Sequence, residues 1–297
     1  MRTSIFIFIF VFSILAIFYF LFSHSDLSSE TFIASIDSSS GEFLETTLSS
    51  TEPVKEPVKH LPYIKVYTPD PPQLRTYVEI TTGCTTVVDA TCVKVFATTS
   101  TNSAVRAKLR VGSVFFVDQT VTAPDGTIWY SVFFDESLRF SDRLTLPWFI
   151  QSSAGEIFSD IGELDANAST TPSTKRLLVD RGDQMLYAYD GDTLFMETPV
   201  STGLLLTPTP RGTFTVFMKT PTRYMQGPIP GISDQYYDLP GVPWNLYFTK
   251  QGAVIHGAYW HNSFGKTWSH GCVNLPPDIA KKIYLWADIG MTVTIRD

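Results

Sequence analysis

The chain has 297 residues, a length that predicts about two domains, and its formal net charge is −7. The hydrophobic fraction of 44% is ample for packed cores and excludes a chain that is disordered as a whole. Because the charge is negative and no basic cluster occurs, we expect no nucleic-acid partner.

A long apolar segment, Ile5 to Phe22, contains no charged residue and follows Arg2. Its length is about that needed to cross the hydrocarbon core of a membrane as a helix. The positive charge before it favours a cytoplasmic N-terminus, with the rest of the chain outside. A cleaved signal peptide is the alternative, but it would have a shorter apolar region that ends in small residues. We therefore predict a transmembrane anchor over residues 1–23.

Residues 24–60 are rich in Ser, Thr, Glu and Pro and contain a short Glu-Pro-Val-Lys repeat that begins at Glu52. Apolar residues are scattered there without a sustained period. Such a composition is typical of a flexible spacer. We predict a linker that holds the folded part of the protein away from the membrane.

Residues 61–170 are predicted to form a small β domain, because short β-rich runs alternate with turn signals such as Ala123-Pro-Asp-Gly. The patterns at 93–95, 104–113 and 125–130 resemble bacterial SH3-like domains, which often accompany wall enzymes. Wall binding and a spacer role without a ligand both remain open. The polar stretch 151–174 is predicted to be a connector to the next domain.

The chain has three cysteines, and two of them, Cys84 and Cys92, lie close together in the SH3-like region. Thiols outside the cytoplasm tend to be oxidised, so this pair is a disulfide candidate. The pairing would leave Cys272 as the odd cysteine, which indicates a reactive thiol.

Residues 174–297 are predicted to form a second, mostly β domain with one short helix. Pro- and Gly-rich residues 220–244 are predicted to be a long irregular loop over the active-site cleft. The helix begins near Pro277 and places Ile279, Ile283 and Trp286 on one face, and a closing strand follows Gly290.

The stretch from Val254 to Leu275 holds three of the five histidines and Cys272. A thiol attacks as the thiolate, and a nearby imidazole favours that form. His256 follows an apolar run typical of a buried strand, so it is a candidate base for Cys272. Zinc ligation is the weaker alternative, because His270 and Cys272 would have to reach one metal from a tight turn and no CxxC or HExxH pattern occurs. We expect neither a metal nor an organic cofactor.

The pattern Ile255-His256-Gly257, followed by Ser269-His270-Gly271-Cys272-Val273-Asn274, resembles the signature of the L,D-transpeptidase catalytic-domain family. Twelve residues separate His256 from Ser269, at the short end for the family's loop. Upstream landmarks of the family occur in order at Leu178-Val179-Asp180, Gln184 to Tyr189, Pro199 to Gly203, Thr207 to Phe214, and Pro243-Trp244.

The resemblance implies a β-sandwich with a short helix and a cysteine acyltransferase site. Cys272 would be the nucleophile and His256 the general base and acid. The backbone carbonyl of Gly257 would orient His256. Ser269, His270 and Asn274 would shape the loop or contact substrate, with His270 as the helper of the thiolate, and backbone N–H groups around Gly271 and Cys272 would bind the oxyanion. Tyr259 and Trp260 would wall the substrate groove, with a place in the core as the alternative. His261 is predicted to be incidental.

The implied reaction is peptidoglycan crosslinking, in which a Cys272 thioester holds a tetrapeptide stem until a neighbouring amine accepts it. The same residues would serve an L,D-carboxypeptidase or an enzyme that attaches a protein to the wall, and a non-catalytic wall-binding protein is the alternative of a different class. We expect a monomer in the bacterial cell envelope, anchored in the cytoplasmic membrane through residues 5–22 with the catalytic domain outside. Secretion after signal cleavage is the alternative location.

Overall fold

A computed structural model describes residues 73–134, 138–165 and 173–297. The predicted anchor and linker lie outside these residues. Within them, the chain is mostly β, and its one α-helix is short, as predicted. No helix in the described ranges is long and apolar enough to cross a membrane.

The first described region forms a seven-stranded sheet in the order β3-β2-β6-β5-β4-β1-β7. Buried apolar side chains from its strands form a separate core around Phe115, Trp148 and Ile150. The strands of this sheet are β1 Arg75–Ile80, β2 Val93–Phe96, β3 Val105–Leu109, β4 Val114–Thr122, β5 Ile128–Phe133, β6 Trp148–Gln151 and β7 Gly155–Asp160. The likeness of this sheet to SH3-like domains stays a prediction.

The segment 151–174, predicted to be a connector, contributes strand β7 instead. Residues 155–160 pair along the whole of β1, with Arg75 opposite Asp160 and Ile80 opposite Gly155. Gly155 is required there, because a Cβ would lie 2.1 Å from the carbonyl oxygen of Glu79. The polar sequence is compatible with an edge strand, since among the described residues β7 pairs only with β1.

The C-terminal region contains two five-stranded sheets, β11-β10-β9-β17-β12 and β16-β15-β14-β13-β8. Helix α1, Pro277–Trp286, packs against the second sheet, and Ala280, Ile283 and Tyr284 are its buried residues. The strands are β8 Leu164–Asp165, β9 Lys175–Asp180, β10 Met185–Asp190, β11 Thr193–Pro199, β12 Gly212–Thr215, β13 Met218–Ile229, β14 Ser233–Tyr247, β15 Val254–Gly257, β16 Val273–Leu275 and β17 Thr292–Arg296.

The prediction of an irregular loop at 220–244 is wrong, because these residues belong to the long β13–β14 hairpin. The prolines misled the prediction, since proline is excluded from central strands but tolerated at edges and irregularities. Over most of its length the hairpin is a two-stranded ribbon, and its register shifts between Arg223 and Met225 and again between Gly227 and Ile229. These irregularities accommodate residues that a regular central strand would reject.

Candidate active site

Strands β15 and β16 run parallel and bring the two halves of the motif together. In their register His256 lies beside Asn274, and Cys272 comes directly before β16. Side chains two residues apart on a strand point to the same side, so Cys272 and Asn274 are expected to share the side of His256. These three residues line one cavity.

His256 is buried and held in one orientation by its neighbour. Its Nδ1 lies 3.0 Å from the carbonyl oxygen of Gly257. A carbonyl only accepts, so the proton of the neutral ring is on Nδ1 and Nε2 is left as the basic atom. Burial lowers the pKa of His256 to about 4, while the bond to Gly257 opposes this shift and the charges of His261 and Arg223 add to it. The imidazole is therefore neutral at pH 7.

Besides orienting His256 through its carbonyl, Gly257 occupies a position with no room for a side chain. A Cβ at this position would lie 2.8 Å from Pro243 Cγ and 3.1 Å from Pro277 Cα. Pro243 is on β14 and Pro277 begins α1, so both elements approach the backbone of β15 closely at the base of the site. Close packing on both sides keeps the backbone that orients His256 rigid.

Cys272 is the free cysteine of the described residues and is partly exposed. Desolvation raises the pKa of its thiol, and a hydrogen bond from the Val254 backbone and the charge of Arg223 oppose that shift. The thiol of Cys272 and the imidazole of His256 are therefore both neutral at pH 7, and they line the same cavity.

The loop before Cys272 is held by its own side chains. Ser269 Oγ donates to the Cys272 carbonyl oxygen over 2.6 Å and accepts from the Gly271 N–H at 3.2 Å. Thr209 Oγ1 also donates to the Cys272 carbonyl, over 3.2 Å. Gly271 has φ +114°, a conformation that other residues rarely adopt. Ser269 thus shapes the turn, and its hydroxyl is already engaged.

Two cavities meet at Cys272. One, of about 740 Å³, is bounded by the hairpin and includes Arg223 among its lining residues. The other, of about 500 Å³, is more aromatic and includes His256, Trp260 and Asn274. Residues shared by both linings are Met225, Tyr237, His270 and Cys272.

Aromatic rings form the walls around the thiol. Trp260 stacks on His256 at 5.7 Å between ring centroids, and Tyr237 stacks on His270 at 6.1 Å. Desolvation lowers the pKa of His270, so this ring is also neutral at pH 7. Tyr259 is placed differently from its predicted role, because its ring is buried and its hydroxyl donates to the Pro240 carbonyl over 2.5 Å. It braces β14 and lines neither of the two cavities.

Two residues of the hairpin, Arg223 and Tyr237, reach the site without having been predicted. Arg223 Nη1 donates to Tyr247 Oη over 2.5 Å, and its charge acts on both Cys272 and His256. Desolvation and the Cys272 charge raise the pKa of Tyr237 to about 12. The sequence indicated only that residues 220–244, which include Arg223 and Tyr237, lie over the active-site cleft.

Cys84 and Cys92 form a disulfide in the connection between β1 and β2. Together with Asp89 they make the single cluster, within the described ranges, whose ligand atoms lie close enough for one metal ion. Both sulfurs are consumed by the disulfide, so this cluster does not fit a thiolate-bound metal.

The geometry of the motif agrees with a comparison against protein families. Residues 174–295 match the family model of the L,D-transpeptidase catalytic domain, YkuD. This match confirms the predicted resemblance for those residues.

Individual relatives show the same similarity. A putative L,D-transpeptidase, YkuD of Bacillus licheniformis, is 30% identical over 112 residues, which are 37% of this chain and 56% of the relative. Among solved structures, the catalytic domain of an E. faecium L,D-transpeptidase is 26% identical and covers 43% of this chain and 99% of its own, with a TM-score of 0.36. An L,D-transpeptidase from Mycobacterium smegmatis is 20% identical and covers 74% of this chain and 99% of its own, with a TM-score of 0.40.

Proposed function

We propose that the protein is an L,D-transpeptidase that crosslinks peptidoglycan stems through a thioester on Cys272. The observation that carries the proposal is the neutral thiol of Cys272 at the junction of two cavities, with neutral His256 in one of them and fixed by Gly257 so that Nε2 is the basic atom. A thiol without a preformed positive partner needs a base during attack, and His256 is the base in the same cavity.

The first half-reaction forms the thioester. Cys272 Sγ attacks the carbonyl carbon between the third and fourth residues of a tetrapeptide stem, and His256 Nε2 takes the thiol proton. The carbonyl oxygen becomes an oxyanion, and the C–N bond then breaks as His256 returns the proton to the leaving amine. The Gly271 N–H already donates to Ser269, so we assign oxyanion stabilisation to the Cys272 N–H.

The second half-reaction transfers the acyl group. An amine of a neighbouring stem attacks the thioester carbon and loses a proton to His256, which passes it to the departing thiolate. The two cavities provide separate approaches for the donor and the acceptor. We place the catalytic domain outside the cytoplasmic membrane, anchored through residues 5–22, because the acceptor stems are there.

Incubation of the full-length protein with a synthetic tetrapeptide stem ending in D-alanine, with and without a second stem that offers a free amine, tests the proposal. Mass spectrometry is expected to show crosslinked dimers that contain the acceptor and release of one D-alanine per dimer. Cys272→Ala is the matched control and should give neither product. If only tripeptide forms in the presence of excess acceptor, the protein is an L,D-carboxypeptidase. If the stems stay uncut, the result supports the alternative of a non-catalytic wall-binding protein.

A further inference from the structure

The larger of the two cavities that meet at Cys272, of about 740 Å³, has a cationic lining. Among the described residues that line it, Arg139 and Arg223 carry a positive charge and none is acidic. Asp238 of β14 lies outside this lining, and its Oδ1 accepts from the Gln226 side chain at 3.0 Å. In a chain with a net charge of −7, the cavity into which the thiol opens is therefore positive.

Arg223 is the half-buried member of this pair, and Tyr247 orients it. It lies on β13, where its Nη1 donates to Tyr247 Oη over 2.5 Å and its guanidinium carbon is 5.2 Å from the centre of the tyrosine ring. A phenol is a neutral acceptor, so this bond orients the guanidinium and leaves its charge in place. That charge acts on both Cys272 and His256. Arg223 is thus a cation close to the candidate reacting groups.

Arg139 comes from the region before the catalytic domain, in the connection between β5 and β6. The backbone next to it is fixed, because the N–H and the carbonyl of Phe140 both bond to Gln226 of β13. The Arg139 side chain is exposed, and no hydrogen bond or ion pair ties it to another described residue. The first region therefore contributes a cation to a cavity that Cys272 also lines.

The two charges act on the same side chain, Tyr237 of β14, which lines both cavities. Desolvation raises the pKa of Tyr237 to about 12, and the charges of Arg139 and Arg223 both oppose that rise. Two guanidinium groups that act on one hydroxyl are close enough to act on one small anion beside it. Arginine presents a planar fork of N–H donors that matches a carboxylate, whereas an ammonium group in the same place would be repelled.

We propose that Arg139 and Arg223 form a carboxylate-binding pair that selects stems with a free carboxylate near the scissile bond over stems in which that group is amidated. The inference rests on the proposed function for the identity of the ligand, while the cationic cavity stands on the protein alone. A tetrapeptide stem offers the carboxylate from two sources, its C-terminal residue or an acidic residue within it. The region before the catalytic domain thereby takes part in the choice of stem.

Three synthetic tetrapeptides test the selection on the full-length protein. The first has an internal acidic residue and a free C-terminus, and each of the other two has one of these carboxylates converted to the amide. In wild type we expect one of the amides to lower kcat/KM about tenfold, as for loss of a charge-assisted hydrogen bond, and that amide identifies the source. Arg139→Gln and Arg223→Gln should each reduce this ratio of acid to amide severalfold. Arg223→Lys keeps the charge without the fork and should recover part of the selection.

Arg106→Gln is the matched control for Arg139→Gln. Arg106 is an exposed arginine on β3 of the same region, and it lines neither of the two cavities. The variant should keep the full ratio of acid to amide. Equal kcat/KM values for the three stems in wild type, or a ratio that Arg139→Gln leaves unchanged, would overturn the inference.

Alkylation of Cys272 by iodoacetate and by iodoacetamide separates this inference from the proposed function. The two reagents differ by a carboxylate in place of an amide, need no stem and react with the same thiolate, so the ratio of their rates does not depend on the thiol pKa. We expect this ratio to be about threefold or more above that of a small free thiol, and to fall in Arg139→Gln, in Arg223→Gln and in roughly 0.5 M salt. A raised ratio with every stem uncut would reject the proposed function and keep the cationic site. A ratio equal to that of the free thiol would overturn the inference even if the stems are crosslinked.

Discussion

At the scale of single residues, the site is assembled from groups that are neutral at rest. Burial lowers the pKa of His256 to about 4 and raises the pKa of Cys272 above its ordinary value. Both shifts oppose a thiolate–imidazolium pair, since each disfavours the charged form. In the mechanism that we propose, the proton therefore moves during attack, with His256 as the general base.

The pH dependence of Cys272 alkylation distinguishes the two states. We expect the iodoacetamide rate to rise about tenfold per pH unit below the thiol pKa and to be still rising between pH 7 and 9, because only the thiolate reacts. Labelling is followed by intact mass, with Cys272→Ala as the control that has lost the free thiol while Cys84 and Cys92 remain bridged. A rate that is already constant between pH 5 and 7 would indicate a preformed ion pair and contradict this description.

The pairing of His256 with Cys272 could be predicted from the sequence, because the spacing and chemistry of their two segments are local properties of the motif. The partner of Asn274 could not. Nothing between His261 and Asn274 in the sequence indicates that their side chains meet, since the contact depends on how the intervening loop folds back over β16. The position of Tyr259 could not be predicted for the same reason, because its burial depends on β14.

At the scale of elements, the β13–β14 hairpin connects the first sheet to the active site. Gln226 is buried, accepts the Phe140 N–H at 2.8 Å, and donates to the Phe140 carbonyl at 3.0 Å. Arg143 donates to the Gly227 carbonyl over 2.6 Å. Met225 and Tyr237, on either strand of the same hairpin, line both cavities. The region before the catalytic domain thus braces the wall of the site.

Gln226→Leu tests this brace. The change removes the partner of the Phe140 N–H and carbonyl and a donor to Asp238 Oδ1, and each of these groups that stays buried without a new partner costs about 1–3 kcal/mol. We expect lower thermal stability, faster hydrogen exchange over 218–247, and a higher KM for the stem. Gln119→Leu makes the same chemical change at an exposed position of β4 and should do none of these. Unchanged exchange in the hairpin of Gln226→Leu would mean that the first sheet does not hold it.

At the scale of the whole molecule, two buried neutral histidines make stability depend on acid. Both His256 and His261 have pKa values of about 4 in the folded chain, against about 6.5 when unfolded. Between these values the unfolded chain binds more protons, so stability rises with pH and is lost as pH falls from 6.5 towards 4.

Denaturant unfolding at pH 7, 6 and 5 measures this loss. Each histidine is expected to contribute a slope of up to about 1.4 kcal/mol per pH unit over that window. His261→Gln removes one titrating group, so its unfolding free energy should depend less steeply on pH than that of wild type. Equal slopes in the two proteins would show that His261 is not held neutral in the folded state.

The helix and several strands of the C-terminal region followed from periodicity, whereas the β13–β14 hairpin did not, and the match to a known family followed from the motif. The packing between regions did not. Tyr77 and Val114 of the first sheet belong to the same buried core as Trp244 and Ile283, and Lys281 of α1 pairs with Glu79 of β1 over 2.5 Å. Such contacts join residues about 200 positions apart, and single-sequence patterns carry no information about them.

The most direct test of the account is the intact mass of the full-length protein after incubation with a carbapenem, for wild type and Cys272→Ala. Wild type is predicted to gain the mass of one acyl adduct, located on Cys272 by peptide mapping, and the variant is predicted to gain none. An unmodified wild type that also leaves tetrapeptide stems uncut, or an adduct that persists in Cys272→Ala, would contradict the assignment of Cys272 as the acylated nucleophile.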